Sequence, residues 1–198
     1  EIAEILLERI EARGLPGTYF TEGDHYDWTG LDVYAIYSDG TVTNVTSSCV
    51  LSPQEGAEVE STDSVLEVTY ADPEGLGEEY LSIPLHITYC KKFEVVTNPT
   101  KTSYAPGESL NLDGLEVRAT LYDAVSDDTT TEMGEVSDGD FGGVMRYATV
   151  KPTNGSALAD GTYDVEITFA YNNNTTNIFT ASVSIDTNSD FPDEDYFI

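Results

Sequence analysis

Positive charge is what this sequence most lacks. Eight lysines and arginines stand against 37 aspartates and glutamates, a formal net charge of −29 over 198 residues. Such a surface repels phosphates and anionic headgroups, so nucleic acid and anionic membranes are expected to be poor partners. Histidine is scarce too. With only His25 and His86, imidazole-based acid–base or nucleophilic chemistry has few places to arise. Two cysteines, Cys49 and Cys90, are too few for a disulfide framework and fit no zinc pattern; one bond between them or two separate buried thiols both stand open. No run approaches the ~18 apolar residues that cross a bilayer as a helix. Gly142-Gly143 lacks the lysine and helix of a phosphate cradle. With no leader or sorting motif, the chain is expected to be an excised or processed piece.

What the sequence does have is strand chemistry. Thirteen Tyr and seven Phe accompany many Val, Ile and Thr, the branched and aromatic side chains that pack well on a pleated surface. Sixteen Gly and eight Pro, with frequent Asn and Asp, supply turns. The mixture reads as all-β.

The chain is organised by an internal repeat. Tyr19-Phe20-Thr21-Glu22-Gly23-Asp24, followed by Thr29-Gly30-Leu31-Asp32-Val33-Tyr34-Ala35, aligns with Ser103-Tyr104-Ala105-Pro106-Gly107-Glu108 and Asp113-Gly114-Leu115-Glu116-Val117-Arg118-Ala119. The interval from Gly23 to Gly30 equals that from Gly107 to Gly114. Upstream, Ile10-Glu11-Ala12 matches Phe93-Glu94-Val95. Leu66, Val68 and Tyr70 alternate with polar residues, as do Tyr163, Val165, Ile167, Phe169 and Tyr171. Leu81, Ile83, Leu85, Ile87 and Tyr89 do the same, matched by Phe179, Ala181, Val183 and Ile185. Period two places each set on one face of a strand, the face that must find a core.

The turns agree. Asp39-Gly40 is a tight-hairpin pair in which both residues are expected at positive φ, and Asn172-Asn173-Asn174 tolerates the same region. Pro84 interrupts a strand and requires an edge, or an N–H direction facing solvent. The second copy carries a long Asp-, Thr- and Gly-rich stretch over residues 123–160, around a short strand at 144–150. Residues 1–6 are read as a linker, a short helix or the end of a preceding element, with a strand from Leu7. The domains are therefore expected at 7–90 and 91–186, followed by an acidic, aromatic tail at 187–198 whose apolar residues would dock on a partner or on the second domain.

These residues resemble a known family. Tyr19 to Asp24 with Gly30-Leu31-Asp32-Val33-Tyr34-Ala35-Ile36-Tyr37-Ser38-Asp39-Gly40-Thr41 is similar to the bacterial Ig-like repeats, the group 3 type in particular. Asn98-Pro99-Thr100-Lys101-Thr102-Ser103-Tyr104, with Gly107-Glu108-Ser109-Leu110 and Gly114-Leu115, resembles it more closely. Asp160-Gly161-Thr162-Tyr163-Asp164-Val165 looks like that family's penultimate strand, where a Tyr can close a tyrosine corner. The resemblance runs from about Leu7 to Ile185. It implies two tandem immunoglobulin-like β-sandwich domains, of a kind used in bacterial surface proteins, adhesins, secreted enzymes and phage virions, with no catalytic residue to carry over. Trp28, at the place of Leu112, is expected in the core.

Chemistry finds little purchase. His25 lies in the 23–30 segment, and His86 faces away from Leu85 and Ile87, toward solvent. No cofactor is expected, calcium excepted as an open idea: hard cations take clustered oxygens, and Asp127, Asp128, Asp138 and Asp140 in the long stretch are the candidates, without EF-hand spacing. Asp72, Glu74, Glu78 and Glu79 form a second acidic loop. The expected role is a non-catalytic structural or adhesive module, a stiff spacer or binding stalk of a bacterial cell-surface or secreted protein. Its partners would be a protein or glycan at a cell or particle surface, or neighbouring copies and modules. The alternatives are a virion decoration protein of capsid or tail, and an accessory carbohydrate-binding region with Tyr34 and Tyr122 as a sugar-stacking platform.

Overall fold

The computed structural model describes residues 4–135, 146–175 and 177–187. Among them the regular elements are β-strands, with short 3₁₀ turns such as Thr46–Ser48 and no α-helix. Two compact units emerge. The first holds the described residues up to Thr88 together with Asp123–Asp128; the second holds Tyr89–Tyr122 and those from Thr129 onward.

In the first unit the strands run β1 (Leu7–Gly14), β2 (Tyr19–Thr21), β3 (Asp32–Tyr37), β4 (Val42–Asn44), β5 (Val50–Ser52), β6 (Val65–Ala71), β7 (Glu78–Pro84) and the start of β8 (His86–Thr97). One antiparallel sheet has the order β1-β3-β4 and another β5-β6-β7, while β2 pairs parallel with β8, Tyr19 opposite His86. The alternation foreseen in the sequence holds. Leu66, Val68 and Tyr70 point inward and meet Val33, Ala35 and Tyr37 from β3, with Leu7, Ile10, Ile83 and Trp28, in one buried cluster. That core draws on every sheet of the unit. At the N-terminus β1 displaces the helical option, since Leu7 donates its N–H to Leu76 and Ser38 donates to the Leu6 carbonyl.

The second unit repeats this plan. The rest of β8 neighbours β10 (Glu116–Asp123), which neighbours β11 (Asp128–Glu135); β9 (Ser103–Tyr104) pairs parallel with β14 (Ile178–Thr187); and β12 (Ala148–Lys151), β13 (Gly161–Ala170) and β14 form an antiparallel sheet. Its core gathers Phe93, Leu112, Val117, Ala119, Leu121, Val165, Ile167 and Phe169. No buried residue belongs to both clusters.

The repeat extends to single hydrogen bonds. Gly23 N–H donates to Val59 and Tyr26 N–H to Ala57; at the equivalent positions Gly107 donates to Leu158 and Leu110 to Ser156. The Trp28 amide is held by Glu55 Oε2 at 2.8 Å and the Leu112 amide by Asn154 Oδ1 at 3.0 Å. The repeated glycine interval follows from this geometry, because Gly23, Gly30, Gly107 and Gly114 all sit at φ between 80° and 95°, a region side-chain-bearing residues avoid.

Several expectations are corrected. The run from Leu81 to Tyr89 is not one strand. Pro84 has no N–H to continue the ladder, so β7 ends there; Leu85 donates to Ser64, His86 to Thr18, and the chain passes into β8 beside β2. At Asp39-Gly40 only Gly40 has positive φ, 85°. The Gly40 amide bonds to the Tyr37 carbonyl and Tyr37 to Thr41, a three-residue loop with a left-handed glycine rather than a two-residue one. Asn172 and Asn173 do adopt φ of 51° and 59°. The long stretch of the second copy contains β11, paired with β10. The short strand expected at 144–150 is β12, Ala148–Lys151; Val144 lies outside the described residues, as do the tail 188–198 and residues 1–3. Tyr163 is half-buried. The buried tyrosine tied to main chain is Tyr104, which donates to the Asn111 carbonyl at 2.8 Å and accepts from its N–H at 3.1 Å.

Candidate functional site

In the first unit two buried tyrosines converge on the half-buried Asp72. Tyr37 on β3 and Tyr70 on β6 point inward and lie with their hydroxyls 3.3 Å apart. Tyr37 donates to Asp72 Oδ2 at 2.6 Å and Tyr70 at 3.4 Å. The other carboxylate oxygen accepts the Glu74 N–H at 2.8 Å, closing the turn between β6 and β7. Around them Ile5, Asp39, Thr41, Glu74 and Leu76 line an open depression of about 310 Å³. The Tyr37 hydrogen bond, helped by the backbone amides, holds the Asp72 carboxyl below its ordinary range against the effect of burial. The same bond, then that to Tyr70, then burial, push the Tyr37 hydroxyl well above the usual tyrosine range.

The two shifts act at opposite ends of the pH scale. The depressed carboxyl stabilises the fold above the ordinary aspartate pKa of about 3.9 and loses that contribution as pH falls through its folded value. The raised phenol stabilises it below about pH 10 and loses that as pH rises toward its folded value. Thermal melts across pH should therefore fall off on both sides, and Asp72→Asn should flatten the acid side. Superimposable acid limbs for the two proteins would contradict this assignment.

His86 is not the solvent-facing residue expected. Its ring stacks on Tyr19 with centroids 4.4 Å apart, and its Nδ1 lies 3.0 Å from Asp123 Oδ2. Side-chain exposure is 22% for His86 and 13% for Asp123. Burial alone would raise the Asp123 carboxyl; bonds from Ser126, His86 and the Val125 N–H overcome it, and the group sits below its usual range. His86 thus faces a carboxylate. His25 is exposed, its backbone bridged to Glu58.

Cys49 and Cys90 are both free thiols, so the bond left open by the sequence is not made. They belong to different cores, Cys49 against the first and Cys90 in the second, with Sγ atoms directed at the Val45 and Lys92 carbonyls. Burial raises the Cys49 thiol pKa, the opposite of what a thiolate nucleophile needs.

The calcium candidates divide. Asp127 lies in the β10–β11 turn with φ 57° and Asp128 opens β11, while Asp138 and Asp140 lie outside the described residues. Among the described residues no three His, Cys, Asp or Glu side chains converge on a metal position. The proposed sugar platform meets a different environment. The Arg13 guanidinium lies 4.5 Å over the Tyr34 ring, the Lys91 ammonium 4.2 Å over the Tyr122 ring, and Tyr89 meets Tyr122 edge-on. Each ring already has a cation on one face.

In the second unit a wider polar depression of about 600 Å³ is lined by Lys101, Glu108, Ser109, Asn111, Asp113 and Asn154. Lys101 pairs with Glu108 and, first among causes, keeps its carboxyl below the usual range, with the Ala105 N–H adding to it. The sequence missed the Tyr37–Asp72 and His86–Asp123 pairings because their members lie 35 and 37 residues apart along the chain. Among the described residues no helix is long and apolar enough to cross a membrane. No family model matches the chain, and no curated protein is found that is similar to it.

Proposed function

We propose that the chain is a pair of tandem immunoglobulin-like β-sandwich modules, similar to the bacterial group 3 Ig-like repeats, acting as a non-catalytic spacer or binding stalk of a bacterial cell-surface or secreted protein. The observation that carries this reading is the duplicated hydrogen-bond scheme, from Gly23–Val59 and Gly107–Leu158 to Trp28–Glu55 and Leu112–Asn154. Each copy pairs a short strand in parallel with its last strand (β2 with β8, β9 with β14) and closes a core of its own. Two closed cores joined in series are what a chain that projects or spaces something needs. The acidic exterior keeps such a chain apart from anionic envelopes.

Antibody raised against the chain should label intact cells of the source bacterium. Labelling only after permeabilisation would overturn the surface reading. Label that co-sediments with virus particles instead would make the same modules a virion component.

A further inference from the structure

The two units differ on one equivalent surface, the outward face of β5, β6 and β7 in the first and of β12, β13 and β14 in the second. Cross-strand register defines it. In the first unit Val50, Thr69 and Tyr80 form one row, Ser52, Glu67 and Ser82 the next, and Val65 with Pro84 a third. In the second unit the same rows read Thr149, Thr168, Thr180, then Lys151, Glu166, Ser182, then Asp164 with Ser184.

The second face satisfies itself. Ser184 donates to Asp164 at 2.6 Å, Thr162 to Asp186 at 3.4 Å, and Lys151 sits beside Glu166 in the register. The first face has one such bond, Ser82 to Glu67 at 3.4 Å. Tyr80 is 73% exposed and Val50 66%, with Val65 also exposed, and the flanking charges are Glu67 and Glu78, without a cation in any row. Val50, Tyr80 and Val65 on one face, rimmed by polar residues, give an apolar surface that a partner can cover.

Charge decides the partner. Residues 1–88 carry eighteen carboxylates and only two cations, Arg9 and Arg13. Both lie on β1, in the other sheet, next to Glu8 and Glu11. A second copy of this chain would bring carboxylate against carboxylate, and anionic polymers are repelled in the same way. A cationic side chain meets Glu67 or Glu78 and the open ring of Tyr80, whose face attracts a guanidinium or ammonium, while an apolar neighbour covers Val50.

We propose that the outward face of β5, β6 and β7 is a docking surface for a cationic protein segment that places arginine or lysine beside apolar side chains. This rests on reading the chain as a binding stalk, and names the surface and the partner chemistry.

The test is an amide chemical-shift titration of the whole chain with an acetylated, amidated Arg-Leu-Arg-Leu-Arg peptide. A Glu-Leu-Glu-Leu-Glu peptide and a neutral oligosaccharide serve as comparisons. Shifts should cluster on residues 50–52, 65–71 and 78–84, and the paired change Val50→Thr with Tyr80→Thr, which installs the second unit's residues, should weaken binding at least tenfold. Both positions are exposed, so Trp28 fluorescence melts should stay unchanged and report that the fold survives. Shifts spread over the acidic surface of both units, or an affinity indifferent to the paired change, would reduce the effect to net charge and overturn the proposal. A stronger response to the oligosaccharide would overturn it in favour of a glycan. Failure here leaves the surface-labelling result untouched, and a negative labelling result leaves this binding measurable.

Discussion

Replacing Trp28 with alanine should destabilise the first unit by about 3–5 kcal/mol, the usual range for emptying a large aromatic site in a core. Trp28 is 5% exposed. Its indole stacks on Tyr26 at 4.8 Å, meets Phe20 edge-on at 5.6 Å, and donates Nε1–H to the Pro53 carbonyl at 3.0 Å. Alanine would forfeit the stacking, leave a void that neighbouring rings fill only in part, and strand the Pro53 carbonyl. At roughly 4–8 °C per kcal/mol for a unit of this size, the melting temperature should fall by roughly 12 °C or more. Trp28→Leu supplies the side chain found at the equivalent Leu112 and should cost clearly less. Denaturation followed by far-ultraviolet circular dichroism decides the matter; an unchanged first transition for the alanine variant would remove Trp28 from the core.

The matching experiment in the second unit is Phe169→Ala. Phe169 has no exposed surface and stacks on Phe93 with centroids 4.7 Å apart and planes 9° from parallel. Its loss should likewise cost about 3–5 kcal/mol. Because Trp28 is the only tryptophan in the chain and no buried residue is shared between the clusters, its fluorescence should keep the parental transition while circular dichroism shows the second unit melting early. A Trp28 signal that moved with Phe169→Ala would mean that the two interiors unfold as one.

What could be read in advance followed the buried side chains. Leu66-Val68-Tyr70 and Val165-Ile167-Phe169 alternate because one face of each strand is buried and the other is wet, so period two in the sequence became β6 and β13. Strand β11 was obscured for the converse reason. Its Asp-Thr-Thr-Thr-Glu-Met-Gly-Glu sequence carries no inward apolar stripe, and it is recruited through the backbone at the edge of the sheet, beside β10. A strand held by main-chain hydrogen bonds leaves little trace in hydropathy.

The candidate sites were less legible still. Asp72 reads in the sequence as one acid in an acidic loop; only the closure of β6 against β3 brings Tyr37 to it, beside its near neighbour Tyr70. His86 reads as outward-facing from its strand period, and it does lie opposite the core face. It is half-covered because Tyr19 arrives by parallel pairing and Asp123 lies beside it.

The amino-acid order by itself determined local matters: which segments extend, which faces are apolar, where glycine and asparagine permit left-handed turns, and that the whole pattern occurs twice. These depend on a residue and its near neighbours. Tertiary structure alone decided that the chain leaves one sheet for another after Pro84, that two lone thiols stay apart, and that Val50, Thr69 and Tyr80 come together in one outward row where the second unit sets Thr149, Thr168 and Thr180. Each of these depends on which distant strand lies alongside, and strand pairing is settled by the competition of all the strands for the available edges and cores.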